Sequence, residues 1–400
     1  MMLLDSIVLY RIMIYGITYK GLEMDYFPIN IAQGKAFCNR THERHLLKQL
    51  IHNGRHTIII APRRYGKTSL INQTLAELHL PYAIMELTMA VTLKDVENIV
   101  IKSVSDLLYS ILPKTLKAKQ KILGLFKWLN PELTLSAQGQ KVVFHPDWNK
   151  LGKINSVAEI LKKLDEAARL TNKRVVIVMD EFQQLSEIGD NSEKGEFAIE
   201  AAIRNAMQYS QNTSYIFSGS HRQMLLSMFT SKRRPFYNSC ETIILERIER
   251  AEYYDFIKNL SVERWKKAIS KECLNKILDL TELHPHYINR LCGYFWLVGK
   301  YPTTETVENY WREFVQSKKR EFTEDILRLS KNQRKLLAYL ASYPEQRPSS
   351  AKVCTALEIS EASNRQSLKV LCSKDYVYQS KDGVYQVLDP AMRSFILMLS

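Results

Sequence analysis

Eight consecutive residues, Ala61-Pro62-Arg63-Arg64-Tyr65-Gly66-Lys67-Thr68, place a glycine, a lysine and a hydroxyl in the order that a phosphate-binding loop requires. In such a loop, backbone N–H groups and a helix N-terminus converge on phosphate oxygens. The Lys67 ammonium reaches the β- and γ-phosphates, and the Thr68 hydroxyl takes a coordination position on Mg2+. Alanine at 61 stands where the pattern has its first glycine, which bears on loop geometry because only glycine takes positive φ freely. A chance Gly-Lys-Thr would lack the flanks found here, a β-branched run before it and helical spacing after it.

The second constellation is Asp180-Glu181, which closes the apolar run Val175-Val176-Ile177-Val178-Met179. Adjacent acids at a strand end are ordinarily a solvated turn. Paired with the upstream loop, Asp180 suits Mg2+, whose preference is for carboxylate oxygen, and Glu181 suits the orientation or deprotonation of an attacking water. Ser218, of Ser218-Gly219-Ser220, ends another apolar run and is the candidate sensor of a terminal phosphate, against a plain strand-ending turn. Arg233 and Arg234 lie in a basic run shortly before the last core strand. Either is a solvated loop residue or a cation for the transferring phosphoryl group, in cis or in trans, and Arg234 is the candidate taken here. These residues imply ATP as ligand, Mg2+ as cofactor and hydrolysis as the reaction.

Other reactive side chains form no such set. His42, His45, His52 and His56 are close in sequence, but their helical angles do not converge and no acid completes a zinc site. His284-Pro285-His286 opens a helix, with proline suited to the first turn, and either approaches a nucleotide or packs. No Ser/His/Asp or Cys/His arrangement can be defended from sequence.

The elements that must carry these groups are legible in the pattern. Helical spacing over 39–53, a β-branched strand at 57–60 and a helix over 69–78 frame the loop. Short apolar strands are predicted at 82–87, 175–179, 215–217 and 242–245, with a helix at 93–112 and an inserted hairpin within 126–145. Five apolar strands separated by helices predict an α/β domain whose mainly parallel sheet gathers its strand C-termini on one edge. From 249 to about 330 the pattern is helical. Residues 332–400 give three helical stretches and two alternating strands turning at Asp382-Gly383, the winged-helix succession.

Composition sets the outer bounds. The chain has 400 residues, with 46% hydrophobic and 24% charged, which excludes disordered, collagenous and disulfide-miniprotein classes and suggests two or three domains. Six scattered cysteines without Cys-x-x-Cys spacing read as reduced thiols and predict a cytoplasmic protein. The N-terminal stretch 1–19 is interrupted by Asp5 and Arg11, so it is expected neither to span a membrane nor to be a signal peptide. Residues 1–23 read as a short extra element or as sequence ahead of an internal start at Met24. The formal charge of +14 permits a nucleic-acid partner without requiring one.

At these residues the chain resembles the archaeal-type P-loop ATPases of the STAND group, within the broader AAA-like class. Phe37-Cys38-Asn39-Arg40-Thr41-His42-Glu43 is similar to that family's Phe-x-Gly/Asn-Arg-x-x-Glu motif, which borders the adenine pocket and implies a nucleotide role for Arg40. The loop resembles Gly-Pro-Arg-Arg-x-Gly-Lys-Thr-Ser-Leu, implying contacts from Pro62, Arg63, Arg64, Tyr65, Gly66, Lys67, Thr68 and Ser69. The Asp180-Glu181-Phe182-Gln183 strand end and the Ser-Gly-Ser turn follow in the family's order. His284-Pro285-x-Tyr287 resembles its Gly-x-Pro lid motif, implying His284 and Pro285, with histidine in place of glycine.

The resemblance implies a P-loop NTPase core (37–249) after an N-terminal extension (1–36), then a helical lid (250–330) and a winged-helix domain (331–400). Phe236-Tyr237-Asn238-Ser239 departs from the family's Leu-Tyr-Gly-Arg, so the usual arginine is missing. Either Arg233 or Arg234 substitutes, or hydrolysis is slow and the protein is a switch held by bound nucleotide. In the presumed recognition helix, capped by Ser360, the residues Arg365, Gln366 and Lys369 are expected to be exposed toward double-stranded DNA. Residues 328–400 carry 11 Lys and Arg against 6 Asp and Glu, which allows phosphate contacts. A protein partner or an ATP-dependent homo-oligomer is the alternative, as is a scaffold that binds ATP without turning it over.

Overall fold

The computed structural model describes residues 25–136, 139–145, 155–189 and 197–399. Residues 1–23, read above as an extra element or upstream sequence, lie outside them. Along the chain, α1 (Thr41–His52) leads to β1 (Thr57–Ile60) and, past the loop, to α2 (Lys67–Leu78). β2 (Tyr82–Glu86), α3 (Leu93–Ile111) and α4 (Leu116–Gly124) precede an antiparallel hairpin of β3 (Pro131–Ser136) and β4 (Gly139–Phe144). α5 (Asn155–Leu170), β5 (Val175–Asp180), α6 (Gln184–Gly189) and α7 (Ala198–Gln208) follow. Then come β6 (Thr213–Gly219), α8 (Arg222–Thr230) and β7 (Glu241–Ile244).

β2, β5, β6, β1 and β7 lie side by side in that order as a parallel sheet, the α/β core of a P-loop NTPase. The sequence explains it directly. Parallel strands covered on both faces read as continuous apolar runs, and here alternate residues feed two cores. Ile58, Ile60, Val175, Ile177 and Met179 pack into one cluster, and Ile59, Val176 and Val178 into the other. The register sets Asp180 opposite Glu86 and Ile60 opposite Gly219. The C-terminal ends of β1, β5 and β6 therefore open on one edge, where α2 begins.

The hairpin expected within 126–145 is present. It rests on α3, where the Ser105 hydroxyl donates to the Val142 carbonyl. Beyond β7 the chain is helical through α9 (Arg250–Trp265), α10 (Lys271–Thr281), α11 (Pro285–Val298), α12 (Thr304–Ser317) and α13 (Lys319–Leu327). The cluster beneath these helices includes Phe27, whose ring meets Phe256 at 5.8 Å and Trp296 at 4.6 Å. Residues just ahead of the core are thus fastened to the helical layer.

The last stretch forms α14 (Lys331–Ser342), α15 (Ala351–Leu357), α16 (Glu361–Ser373), β8 (Val377–Gln379) and β9 (Tyr385–Val387). The strands turn at Gly383, where φ is +80°, as Asp-Gly predicts. A final helix, α17 (Pro390–Leu399), was not anticipated; it buries Ala391, Met392, Phe395 and Ile396 against α14 and the hairpin. Tyr378 and Leu388 do not pack there. They join Tyr65, Leu47 and Ile59 in a cluster on the core, so the C-terminal hairpin leans on the loop-bearing side of the sheet.

His56 links β1 to β6: its Nδ1 accepts the Tyr215 N–H at 3.3 Å. Burial depresses its imidazole from 6.5 to about 4, with the Met207 carbonyl opposing only in part. A folded value below the unfolded one gives stability that is complete above pH 6.5 and lost as pH falls toward 4. Urea denaturation at pH 7 and pH 5 is expected to show a loss of stability, of which His56→Asn removes up to about 2 kcal/mol. The remaining decline belongs to His284 and His286, which burial also depresses. Equal pH 5 losses in wild type and variant would exclude His56 as a source.

Candidate active site

The phosphate-loop candidate runs from the end of β1 into α2, with Gly66 at the helix N-cap at φ +86° and Arg64 also left-handed at +66°. Ala61 is not among the described residues with positive φ. The missing first glycine therefore imposes no backbone strain, because the loop turns at 64 and 66 instead.

Two side chains pin the loop from opposite sides. Arg40, buried and itself left-handed at φ +52°, donates to the Tyr65 carbonyl at 3.1 Å and the Glu246 carbonyl at 2.7 Å, and pairs with Glu43 at 2.9 Å. The Tyr65 ring is buried edge-on against His284 at 4.9 Å, and its hydroxyl accepts from Arg247 Nε at 3.1 Å. Ser69 Oγ accepts the Ala32 N–H at 3.0 Å, which draws the leading segment over the start of α2.

At the same edge, Lys67 is 7% exposed and its Nζ donates to the carbonyls of Ala61 at 3.2 Å and Pro62 at 3.3 Å. Burial lowers its affinity for a proton; the charges of Glu181, Asp180 and Asp375 oppose that. Thr68 Oγ1 lies 3.4 Å from Asp180 Oδ2. The other Asp180 oxygen accepts from Ser218 Oγ at 2.6 Å and from the Glu181 N–H at 3.1 Å. Glu181 is left-handed at φ +53°. Its Oε2 accepts the Ser220 N–H at 3.0 Å, the Ser220 hydroxyl at 2.8 Å and the Gln183 amide. Burial pushes the Glu181 carboxyl up, but these donors and the Lys67 charge outweigh it and hold the group below its ordinary value.

Lys67, Thr68, Asp180, Glu181 and Ser220 line a cleft of about 920 Å³. Arg63, Arg64, Gly66 and Ser69 line it too, and Ile29, Ile31, Phe37, Ile248 and Tyr253 add apolar surface. A lining that is cationic in one part and apolar in another suits an anion joined to a flat apolar body. The acidic oxygens suit a hard cation. Thr68 and Asp180 offer only hydroxyl and carboxylate oxygens, the ligands Mg2+ prefers, and they are the residues that would hold it.

Most residues named from sequence come together here, but four do not stand as expected. Ser218 is buried behind Asp180 and does not line the cleft; its hydroxyl is committed to the acid. His284 caps α11 and packs on Tyr65, while Pro285 and His286 reach the cleft. Pro62 contributes its carbonyl to Lys67 from beneath the loop. Arg234 is elsewhere: it pairs with the buried Glu200 and lies over the Phe197 ring at 3.9 Å. A carboxylate buried like Glu200 needs a cation, and Arg234 supplies it.

Several site residues were not read from sequence. Ile29, Ile31, Tyr253 and Asn289 belong to no recognised spacing, and Ser220 and Gln183, although inside the Ser-Gly-Ser turn and the Asp-Glu-Phe-Gln strand end, have no role there that the sequence assigns. Arg247 follows β7 as a single basic residue, yet it bonds Tyr65, the Glu282 carboxylate at 2.8 Å and the Leu388 carbonyl at 3.1 Å.

No protein-family model matches the chain, and no curated protein matches it by sequence. Solved structures do match by fold. A Walker-type ATPase of Pyrococcus abyssi aligns over 93% of this chain and 99% of its own, with a TM-score of 0.63 at 17% identity. The ORC2 protein of Aeropyrum pernix, in its ADPNP–ADP complexes, covers 95% of this chain and 99% of its own at 13% identity, with a TM-score of 0.53. Its ADP form gives 0.52 at 12% identity over the same shares. At these identities the likeness is one of fold, and the fold is that of Walker-type P-loop ATPases.

Proposed function

We propose that this protein is a Mg2+-dependent ATP-binding and ATP-hydrolysing switch of the STAND type. The observation that carries the reading is the meeting of Lys67, Thr68, Asp180 and Glu181 in one cleft that Ile29, Ile31, Phe37 and Tyr253 also line. Adenine takes the apolar part of the lining, beside Ile29, Ile31, Phe37 and Tyr253. The triphosphate lies over the loop, with its oxygens on the N–H groups at the start of α2. Lys67 exchanges the Ala61 and Pro62 carbonyls for the β- and γ-phosphates, and the exposed Arg63 and Arg64 flank them. Thr68 and Asp180 would hold Mg2+, which neutralises charge on the phosphate oxygens. Ser218 keeps Asp180 turned toward Thr68. Glu181 orients the attacking water and takes its proton. Arg234 has no part in this scheme. With the family's arginine missing at 239, turnover is slow, and bound nucleotide holds the state.

The switch moves the units it joins. We read the chain as an extension (1–36), a core (37–249), a helical lid (250–330) and a winged helix (331–400). Arg247 touches three of these parts: Tyr65 in the loop, Glu282 in the lid, and Leu388 and the Tyr378 ring beside the last hairpin. Arg393 shares Glu282 at 2.8 Å, and the Tyr287 hydroxyl donates to Asp389 at 2.6 Å. A phosphate that moves the loop is felt by the C-terminal unit through that shared guanidinium. Six free cysteines among the described residues accord with a cytoplasmic setting, and among the described residues no helix is long and apolar enough to cross a membrane.

Lys67→Ala is expected to weaken binding of a fluorescent ATP analogue at least tenfold. Glu181→Gln is expected to bind as wild type but to turn over about 100-fold more slowly or less. Equal turnover in wild type and Glu181→Gln would remove the glutamate from the mechanism.

A second reading, double-stranded DNA as partner, rests on α16, where Arg365, Gln366 and Lys369 are exposed on one surface and Ser360 caps the helix start. Arg365 pairs with Glu361 at 2.9 Å, a contact weak enough to give way to phosphate. Duplex DNA retention is expected to fall steeply between 50 and 200 mM salt in wild type, on the order of 10³-fold for a site with several phosphate contacts, and to be weaker in Arg365→Ala/Lys369→Ala. Retention that ignores both salt and these substitutions would leave a protein partner or self-assembly as the output.

A further inference from the structure

The reading above leaves three features at the ends of β5 and β6 unexplained. Glu181 Oε2 takes three donors, two of them from Ser220 and one from Gln183. Gln183 is 4% exposed and does not line the cleft, so it has no route to a bound nucleotide. Gly219 adopts no left-handed φ, yet a Cβ there would lie 1.9 Å from Gln183 Oε1 and 3.0 Å from Gln183 Cδ. A side chain at 219 would displace the Gln183 amide, which is the group that holds Glu181.

We infer that Ser220 and Gln183 are positioning residues that fix the Glu181 carboxylate by one oxygen, so that Oε1 is the oxygen presented to the attacking water. The tripeptide Ser218-Gly219-Ser220 then has a complete division of labour. Ser218 holds Asp180, Ser220 holds Glu181, and Gly219 admits Gln183 between them. A carboxylate on a flexible side chain samples several rotamers, and a base must lie within hydrogen-bond reach of the proton it takes. Three donors on one oxygen remove that freedom and leave the second oxygen as acceptor. The strained backbone of Glu181, at φ +53°, aims the side chain at Ser220 and so makes the clamp possible.

The inference rests on Glu181 acting as the base, and the test separates the two. Steady-state turnover and the Kd of a fluorescent ATP analogue are measured for wild type, Glu181→Gln, Ser220→Ala, Ser220→Thr, Gln183→Leu, Gly219→Ala and Gly219→Ala/Gln183→Leu. Ser220→Ala and Gln183→Leu are each expected to lower kcat about three- to tenfold with Kd within twofold of wild type. Ser220→Thr keeps both donors and is expected to retain wild-type kcat. Gly219→Ala should match Gln183→Leu, and the double variant should be no slower than either alone.

With Glu181→Gln inactive, full or raised kcat in Ser220→Ala and Gln183→Leu overturns the clamp alone. A loss of kcat matched by an equal rise in Kd, or one that Ser220→Thr shares, does the same, because it marks damage to the fold or to nucleotide binding. Glu181→Gln turning over as fast as wild type, or a wild type without turnover, overturns the reading of the base and the clamp with it.

Discussion

The constraint on which the rest depends is the meeting of one buried ammonium and two half-buried carboxylates at a single sheet edge. Unpaired charges in a protein interior are costly, and ion pairs there hold only with good geometry and full hydrogen bonding. Lys67, Asp180 and Glu181 meet both terms. The ammonium has two carbonyls and opposite charges nearby, Asp180 has two hydroxyls and a backbone N–H, and Glu181 has three donors. The order of strands supplies the proximity, since β5 lies next to β6 and β6 next to β1. Had β5 and β1 been outer strands, the acids and the lysine would stand too far apart to stabilise one another.

A loop that presents N–H groups to an anion cannot satisfy itself, so its shape must be enforced from outside. Arg40 does so from the leading segment and Tyr65 from within the loop, and both contacts lead away from the cleft. The consequence is mechanical. Tyr65 is braced by His284 at the start of α11 and by Arg247, whose other bonds end on Glu282 and Leu388. The loop keeps its shape only while these units keep theirs. Asp375 extends the same logic, because its charge in the C-terminal unit is one of those that stabilise the Lys67 ammonium.

What was legible in the sequence was what local pattern encodes. Apolar runs marked the five core strands because parallel strands are buried on both faces, and Gly66-Lys67-Thr68 and Asp180-Glu181 marked the ends that face each other. Ser360 at the start of α16, the Asp382-Gly383 turn and Pro285 at the first turn of α11 follow from capping and turn chemistry. What remained hidden depends on contacts between distant segments. Arg247 sits in no motif, the role of Gln183 shows only once β5 and β6 lie side by side, and Phe27 and Ile29 read as extension although Phe27 packs into the helical layer and Ile29 lines the cleft. Arg234 lies away from the cleft because Glu200, with nothing in its own sequence surroundings to announce it, is buried and takes the guanidinium. α17 was missed because its apolar face only has meaning against α14.

The central claim is that nucleotide state in the cleft is transmitted to the C-terminal unit through the loop. Amide hydrogen exchange over residues 376–399 tests it most directly, measured in Glu181→Gln saturated with Mg2+ and either ATP or ADP. The account expects slower exchange with ATP than with ADP, and loss of that difference when Arg247→Met is added. Identical exchange in the two nucleotide states, with both nucleotides bound, would contradict it.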